Sequence, residues 1–329
     1  MSDGSQRRDR ALGCWWGQMA GDALGSIVEF SDPGQVARRY PEGLTEMEGS
    51  PIWGTAAGQL TDDTEMAIEL LEALPREGDR IDWDRVARGY VRWYASHPFD
   101  VGNTIRSVLR GPAQEAPAEG LADVLRRQTG LSSQANGALM RESPLGIWGA
   151  GLAPAHLGSL AREDARLTHP HPVCLDASAV YVATLAHVIQ HGGTGQDAYR
   201  FAYSYQREHG SESVVLHCLE QAADEPPPFS RHTGYVLMAL HNAFYQVLHA
   251  ADSEAAITAT VMLGGDTDTN AAIAGALAGA VHGAARIPLR WRQTLQACEF
   301  SGATVRPERY LPRSAYAAGA ALVDARVQP

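Results

Sequence analysis

Between Ala11 and Phe30 a glycine falls at every fourth position, Gly13, Gly17, Gly21 and Gly25, and a second stretch repeats the device at Gly275, Gly279 and Gly283. An isolated glycine inside a helix destabilises it by about 0.5–1 kcal/mol relative to Ala. Four on one face make sense only where another backbone comes closer than a methyl group would allow. Rows of residues four apart are also the ridges through which helices most often pack. The two stretches are therefore expected to be helices that cross tightly in the core, and Gly21→Leu or Gly279→Leu is expected to unfold the protein.

The rest of the chain reads as helices around that pair. Leu60–Leu74 places Met66, Ile68, Leu70, Leu71 and Leu74 at helical spacing, ends at Pro75 and has Thr61 in the capping position. Further helices are predicted over 83–96, from Asp100 onward, and over 176–191, 196–208, 212–223, 234–250, 253–263 and 314–327. Pro- and Gly-rich loops are predicted over 34–59, 111–120, 132–141, 167–172 and 224–229. Alternating β patterns are scarce, and no repeat of fixed period is present. The expectation is an all-α fold, a compact multi-helix domain over 10–329 behind a flexible N-terminus over 1–9, acting as a monomer.

Composition narrows the partners. All 27 basic residues are Arg and the formal charge is −11, which disfavours a nucleic-acid binder because phosphate backbones reward clustered positive charge. Cys14, Cys174, Cys218 and Cys298 are far apart and form no CxxC, the pattern of reduced thiols rather than a disulfide framework. The N-terminal segment lacks a hydrophobic signal core. The most membrane-like run, Ala271–Ala285, is shorter than the roughly 20 apolar residues a bilayer requires. No membrane association is expected, and a cytoplasmic location is.

Acidic residues carry the chemistry. Asp266 and Asp268 lie one residue apart on the glycine-led turn Leu263-Gly-Gly-Asp-Thr-Asp-Thr-Asn270, and Asp62 and Asp63 follow Thr61 at a predicted helix start. Glu29 follows the first glycine helix. Crowded carboxylates repel, and one of them protonates unless a cation intervenes. Oxygen-only donor sets suit hard divalent ions. Each pair read alone also describes an ordinary helix N-terminus, where Asp and Thr cap and acids favour the positive pole. Two such termini face to face would hold one or two cations, in the manner of sites whose metals sit about 3.5–4 Å apart.

Five segments, in order, resemble the ADP-ribosylglycohydrolases: Gly17 to Glu29 with its Gly21-Asp22-Ala-Leu-Gly25 core, Gly58-Gln-Leu-Thr-Asp-Asp-Thr64, Asn136-Gly-Ala-Leu-Met-Arg141, Thr168-His169, and Gly264-Gly-Asp-Thr-Asp-Thr269. Asp100-Val-Gly-Asn-Thr104 resembles the bacterial branch that includes the dinitrogenase-reductase-activating glycohydrolase, which removes ADP-ribose from arginine. The resemblance implies an all-α fold with a dinuclear Mg²⁺ or Mn²⁺ centre at helix N-termini. It implies metal ligation by Thr61, Asp62, Asp63, Asp266, Asp268 and Thr269. Glu29 matches a glutamate near the metals, and the base that takes a proton from water is then Asp62, Asp63 or Glu29. Asp100 would hold the departing guanidinium. Ser132, Ser133, Asn136, Gly137 and Met140 lie in the segment matching the diphosphate cradle, His169 matches a residue of the ADP-ribose cleft, and Tyr235 takes the place of an aromatic at the adenine. The implied substrate is an ADP-ribosylated protein, most simply on arginine, and the product is ADP-ribose.

Other readings of these residues stay open in the sequence. Asp100 also suits a helix cap, His169 and His171 a proline-rich turn, His97 a helix terminator and Tyr235 a core position. Asp266-Thr-Asp-Thr269 matches the Asp-x-Asp-x-Thr nucleophile motif of haloacid-dehalogenase-like phosphatases, but it sits late in a helical chain that has no Lys to neutralise phosphate. A non-catalytic ADP-ribose-binding or structural relative is a further alternative, as is hydrolysis of a serine or nucleobase linkage. Intact acid clusters argue for the hydrolase, since a scaffold has no use for crowded carboxylates.

Overall fold

Two antiparallel helices, α1 (Asp3–Gly25) and α14 (Thr267–His282), form the axis of the protein in a computed structural model that describes residues 3–112, 119–228, 233–300 and 302–327. A Cβ built on Gly13 would lie 2.2 Å from the Gly279 carbonyl oxygen, one on Gly17 1.9 Å from that of Gly275, and one on Gly21 1.9 Å from that of Ala271. The glycine ridge thus lets the two backbones touch, as expected. Gly283 is different. It closes α14 at φ +83° rather than extending the ridge, and a Cβ there would meet Asp9 Oδ2 at 2.1 Å.

The other helices wrap this pair. α2 (Pro33–Arg39), α3 (Asp62–Ala73), α4 (Trp83–Ala95), α5 (Asn103–Leu109) and α6 (Leu121–Gln128) build one flank. α7 (Ser143–Trp148), α8 (Pro154–Arg166), α9 (Pro172–His191), α10 (Gly195–His209) and α11 (Ser213–Asp224) follow. α12 (Val236–His249) and α13 (Ser253–Val261) precede α14, and α15 (Leu289–Ala297) and α16 (Pro312–Arg326) close the chain. No strand forms among the described residues; an isolated antiparallel bridge joins Ala135 to Tyr235. One apolar cluster runs from Ala11 to Val327 and includes Trp15, Trp93, Trp148 and Trp291.

Several elements depart from expectation for local reasons. Residues 3–9, expected to be flexible, are the first turns of α1, and Arg8 donates to Asp324 while Arg10 donates to the Ile189 carbonyl. Residues 26–30, expected to continue that helix, turn away from it, and Phe30 N–H donates to Gly265 O. The 34–59 loop opens with α2, which Asp32 and Gln35 start through a reciprocal capping box. α9 starts at Pro172 rather than Asp176, because proline suits the first helical position and His171 caps it by accepting from Val173 N–H. Much of the predicted 111–120 loop and the end of the 224–229 loop lie outside the described residues.

Among the described residues, the one helix long and apolar enough to cross a membrane is α9, not the run at 271–285, and 89% of its most apolar window is buried inside the fold. It is a core helix. All four cysteines are unpaired and buried, and burial raises each thiol, Cys174 and Cys218 to about 12.

Candidate active site

The glycine contact sets the site, because it fixes where α1 ends relative to where α14 begins. At that junction Gly264 and Gly265 adopt φ of +69° and +80°, and Gly265 N–H donates to Ser31 O at 2.9 Å. A Cβ on Gly264 would sit 2.4 Å from that same oxygen. The turn after α1 and the turn before α14 are thereby tied together, which brings Glu29 to Asp266 and Asp268. The N-terminus of α3 meets them from the side with Asp62 and Asp63.

A cavity of about 460 Å³ opens here, and Glu29, Asp62, Asp100, Asp266, Asp268 and Thr269 all line it. Carboxylate oxygens of Glu29, Asp100 and Asp268 come within 4.8 Å of one another, a spacing that one metal ion can bridge. Thr61 and Asp63 are fully buried and do not face the open cavity. Thr61 Oγ1 lies 2.9 Å from both Asp22 Oδ1 and Asp63 Oδ2, while Asp63 Oδ1 is buried with no hydrogen-bond partner.

Among the described residues no arginine neutralises this group. Elsewhere in the core, Glu65 is paired with Arg306, Asp164 with Arg141 and Asp176 with Arg162. Asp22, Glu29, Asp62, Asp63, Asp100, Asp266 and Asp268 take part in no ion pair among the described residues. Burial lifts Glu29 to about 7 and Asp100 to about 8, with neighbouring carboxylates adding to both. Asp62, Asp63 and Asp268 are driven well above the usual carboxylate range by burial, and then by neighbouring carboxylates, Asp100 and Glu29 at Asp62, Asp62 and Asp22 at Asp63, and Glu29 and Asp63 at Asp268. Asp266 is raised less, since Asn136 Nδ2 donates to it at 2.7 Å. A buried nest of acids with an unpartnered Asp63 oxygen and no paired cation among the described residues fits hard divalent ions.

The expected caps are not caps in the ordinary sense. Thr61 and Asp266 occupy N-cap positions, yet neither side chain accepts a capping bond from a backbone N–H of its own helix. Asp22 on α1 does so for α3, accepting from Thr61 N–H at 3.0 Å and Thr64 N–H at 3.1 Å. Asp100 does not cap α5 either, because Gly102 holds that position and leaves the Asp100 carboxylate to the cavity. His97 does end α4, taking φ +57° just past the cap.

Sequence reasoning left Asp22 and Trp53 without roles. A charge inside the buried run 11–25 was a legible signal for Asp22. Trp53, whose indole N–H donates to Glu29 Oε2 at 2.6 Å, sits in an irregular loop that gave none.

The remaining predicted residues divide between two depressions. Asn136, Gly137, Met140 and His169 line the acidic cavity. Ser132, Ser133 and Tyr235 line a second hollow of about 720 Å³ that shares Ala135 and Gly234 with the first. The 132–141 loop is braced from behind by Arg141, which is fully buried. It pairs with Asp164, stacks 4.2 Å over the Tyr90 ring, and donates to Thr168 Oγ1 at 2.9 Å. His169 Nδ1 shares that hydroxyl at 2.8 Å, and burial together with Arg141 pushes the imidazole down to about 3. His169 is therefore neutral. It lies against Gly137, where a Cβ would be 3.1 Å from Nε2.

Residues 3–320 match the family model for ADP-ribosylglycohydrolase. The chain is 32% identical to the ADP-ribosyl-[dinitrogen reductase] glycohydrolase of Rhodospirillum rubrum over 89% of its own length and 92% of that protein. It is 28% identical to the ADP-ribosylarginine hydrolase Tri1 of Pseudomonas putida, covering 87% of this chain and 74% of the relative. A solved structure described as an ADP-ribosylglycohydrolase-related protein complex superposes with a TM-score of 0.77 at 29% identity, over 98% of this chain and 99% of that one. On this match of sequence and fold, the chain belongs to the ADP-ribosylglycohydrolase family, hydrolases that act on glycosidic bonds.

Proposed function

We propose that the protein hydrolyses the N-glycosidic bond between ADP-ribose and an arginine side chain of a modified protein, releasing ADP-ribose. The observation that carries this reading is the pair of adjoining hollows, one holding the acidic nest and the other a loop-lined cleft with Tyr235, with Ala135 and Gly234 in the walls of both. Relatives named for ADP-ribosylarginine and for ADP-ribosyl-dinitrogen reductase support the acceptor class.

Asp62, Asp63, Asp266 and Asp268, with the hydroxyls of Thr61 and Thr269, would hold two divalent cations, Mg²⁺ or Mn²⁺. Such ions bind vicinal hydroxyls and lower the pKa of a bound water. The chain's own residues supply the rest. Glu29, which lines the cavity and is held there by the Trp53 indole N–H, is placed to take a proton from the attacking water. The carboxylates around the cavity favour the positive charge that grows on the ribose as the bond breaks. Asp100 offers the departing guanidinium a planar, two-oxygen partner. The 132–141 loop cradles the diphosphate, neutral His169 donates or accepts a hydrogen bond without adding charge, and Tyr235 gives the adenine a flat face.

The test is a panel of arginine-, serine- and nucleobase-linked ADP-ribose substrates with Mg²⁺, Mn²⁺ or chelator. Release of ADP-ribose from the arginine substrate alone, abolished by chelation and by Asp62→Ala or Asp266→Ala, is expected. Full activity in chelator, or in either variant, contradicts the assignment.

A further inference from the structure

A third cleft, about 440 Å³, lies beside the acidic cavity and shares Val101 and Arg106 with it. Its character is the reverse of its neighbour's. Arg106 and Arg110 stand four residues apart at the end of α5, so their side chains share one helix face. Tyr94, His97 and Pro98 form the rest of its wall. Like charges at this spacing destabilise a helix by a few tenths of a kcal/mol, and neither arginine forms an ion pair among the described residues. Arg106 spends one N–H on the Val101 carbonyl, which leaves most of its donors to the cleft. The cleft thus carries two arginines and no carboxylate among its described lining residues, on a chain whose formal charge is −11.

The three hollows run in sequence. The Tyr235 cleft joins the acidic cavity through Ala135 and Gly234, and the acidic cavity joins the arginine cleft through Val101 and Arg106. If ADP-ribose fills the first two, the acceptor leaves past Asp100 toward the third.

We propose that the Arg106–Arg110 cleft binds acidic residues flanking the modified side chain of a protein substrate, selecting substrates by local charge. This rests on the reading that the acceptor is a protein side chain. Extended chain advances about 3.3–3.6 Å per residue, so the recognised carboxylates lie within a few residues of the modified one. The net negative charge of the enzyme would repel such a segment at long range, but screening confines that repulsion to about 8 Å at physiological ionic strength. The contact with the two guanidinium groups then decides.

The experiment uses arginine-ADP-ribosylated peptides carrying Glu, Ala or Lys at the flanking positions, with free ADP-ribosylarginine as a further substrate. In the wild type, KM is expected to be about three- to tenfold lower for the Glu than for the Lys peptide, with kcat similar, the size of effect one or two half-exposed charge contacts produce. Arg110→Glu is expected to reverse the order and leave ADP-ribosylarginine hydrolysis unchanged. KM values indifferent to peptide charge, or to Arg110→Glu, overturn the proposal. So does an equal KM increase for ADP-ribosylarginine itself, which would give the cleft to the diphosphate. If no arginine-linked substrate is cleaved, the proposed activity fails separately. Anisotropy of the rhodamine-labelled, unmodified Glu peptide, lost in Arg110→Glu or not, then decides the cleft.

Discussion

Gly17→Ala adds one methyl group at the centre of the α1–α14 seam. Its Cβ would lie 1.9 Å from the Gly275 carbonyl oxygen and 2.6 Å from the carbon. Ordinary contact begins near 3.4 Å, so the facing backbone would have to retreat by about 1.5 Å, well beyond the 0.5–1 Å gap that already forfeits a quarter to a half of a dispersion contact. The obstacle is a helix backbone, which cannot swing aside as a side chain would. Overpacking a core by one methylene typically costs about 1–3 kcal/mol, and this site belongs at or above the top of that range. The gain in helix propensity returns about 1 kcal/mol. A net loss of about 3 kcal/mol is expected, a fall in Tm of roughly 4 °C for a chain of this size. The same displacement would move Asp268 away from Asp62, so divalent-ion affinity should weaken along with stability. The comparison is Gly151→Ala, where a Cβ meets nothing within 4 Å. Thermal melts and Mn²⁺ titrations followed by electron paramagnetic resonance read both effects. Gly17→Ala melting within about 1 °C of the wild type would show that the seam is not a close contact.

Asp22→Ala removes the acceptor for two backbone N–H groups of α3, each costing about 1–3 kcal/mol if left buried and unpaired. It is expected to lower both Tm and Mn²⁺ affinity, while Asp22→Asn, which keeps one oxygen, recovers most of the stability. Wild-type Mn²⁺ affinity in Asp22→Ala would remove Asp22 from any role in placing Asp62 and Asp63. Burial holds Glu29 at about 7 and Asp100 at about 8, above their ordinary values of 4.5 and 3.8. The metal-free folded protein therefore keeps protons that the unfolded chain has already released. These two groups favour folding least above their folded values, so stability falls as pH climbs from about 4 through 8. Because ligands must ionise to bind, Mg²⁺ or Mn²⁺ should raise Tm little at pH 5 and strongly at pH 8; an equal increment at both would refute this.

What the sequence disclosed and what it hid follow from range. The glycine ridge and the acid pairs are written within a few residues, and short spacing survives in any fold that uses it. Glu29, Asp62, Asp100, Asp266 and Asp268 do line one cavity. The bond from Asp22 to Thr61 spans 39 residues, and only the tertiary crossing of α1 and α3 creates it. Thr61 and Asp266 read as self-capping because their backbone positions are N-caps; which helix receives the side-chain bond is a tertiary fact. Short helices such as α7 and α15 went unread because six or nine residues carry too little periodicity to stand out.

The pairing of α1 with α14 also governs when this protein becomes an enzyme during its synthesis. The bond from Thr267 Oγ1 to the Gly25 carbonyl crosses 242 residues, so the first helix must wait for nearly the whole chain before its partner exists. Until then α1 presents its mostly apolar run from Ala11 to Gly25, interrupted by Gln18 and Asp22, with its glycine face uncovered, the kind of surface that exposes a nascent chain to aggregation. Loop closure at this range makes the seam a late event in folding. Asp22, Glu29, Asp62, Asp63 and Asp100 arrive with the first third of the chain, whereas Asp266 and Asp268 come only with the last fifth. A polypeptide that stops short of α14 therefore lacks both the glycine seam and the carboxylates of Asp266 and Asp268.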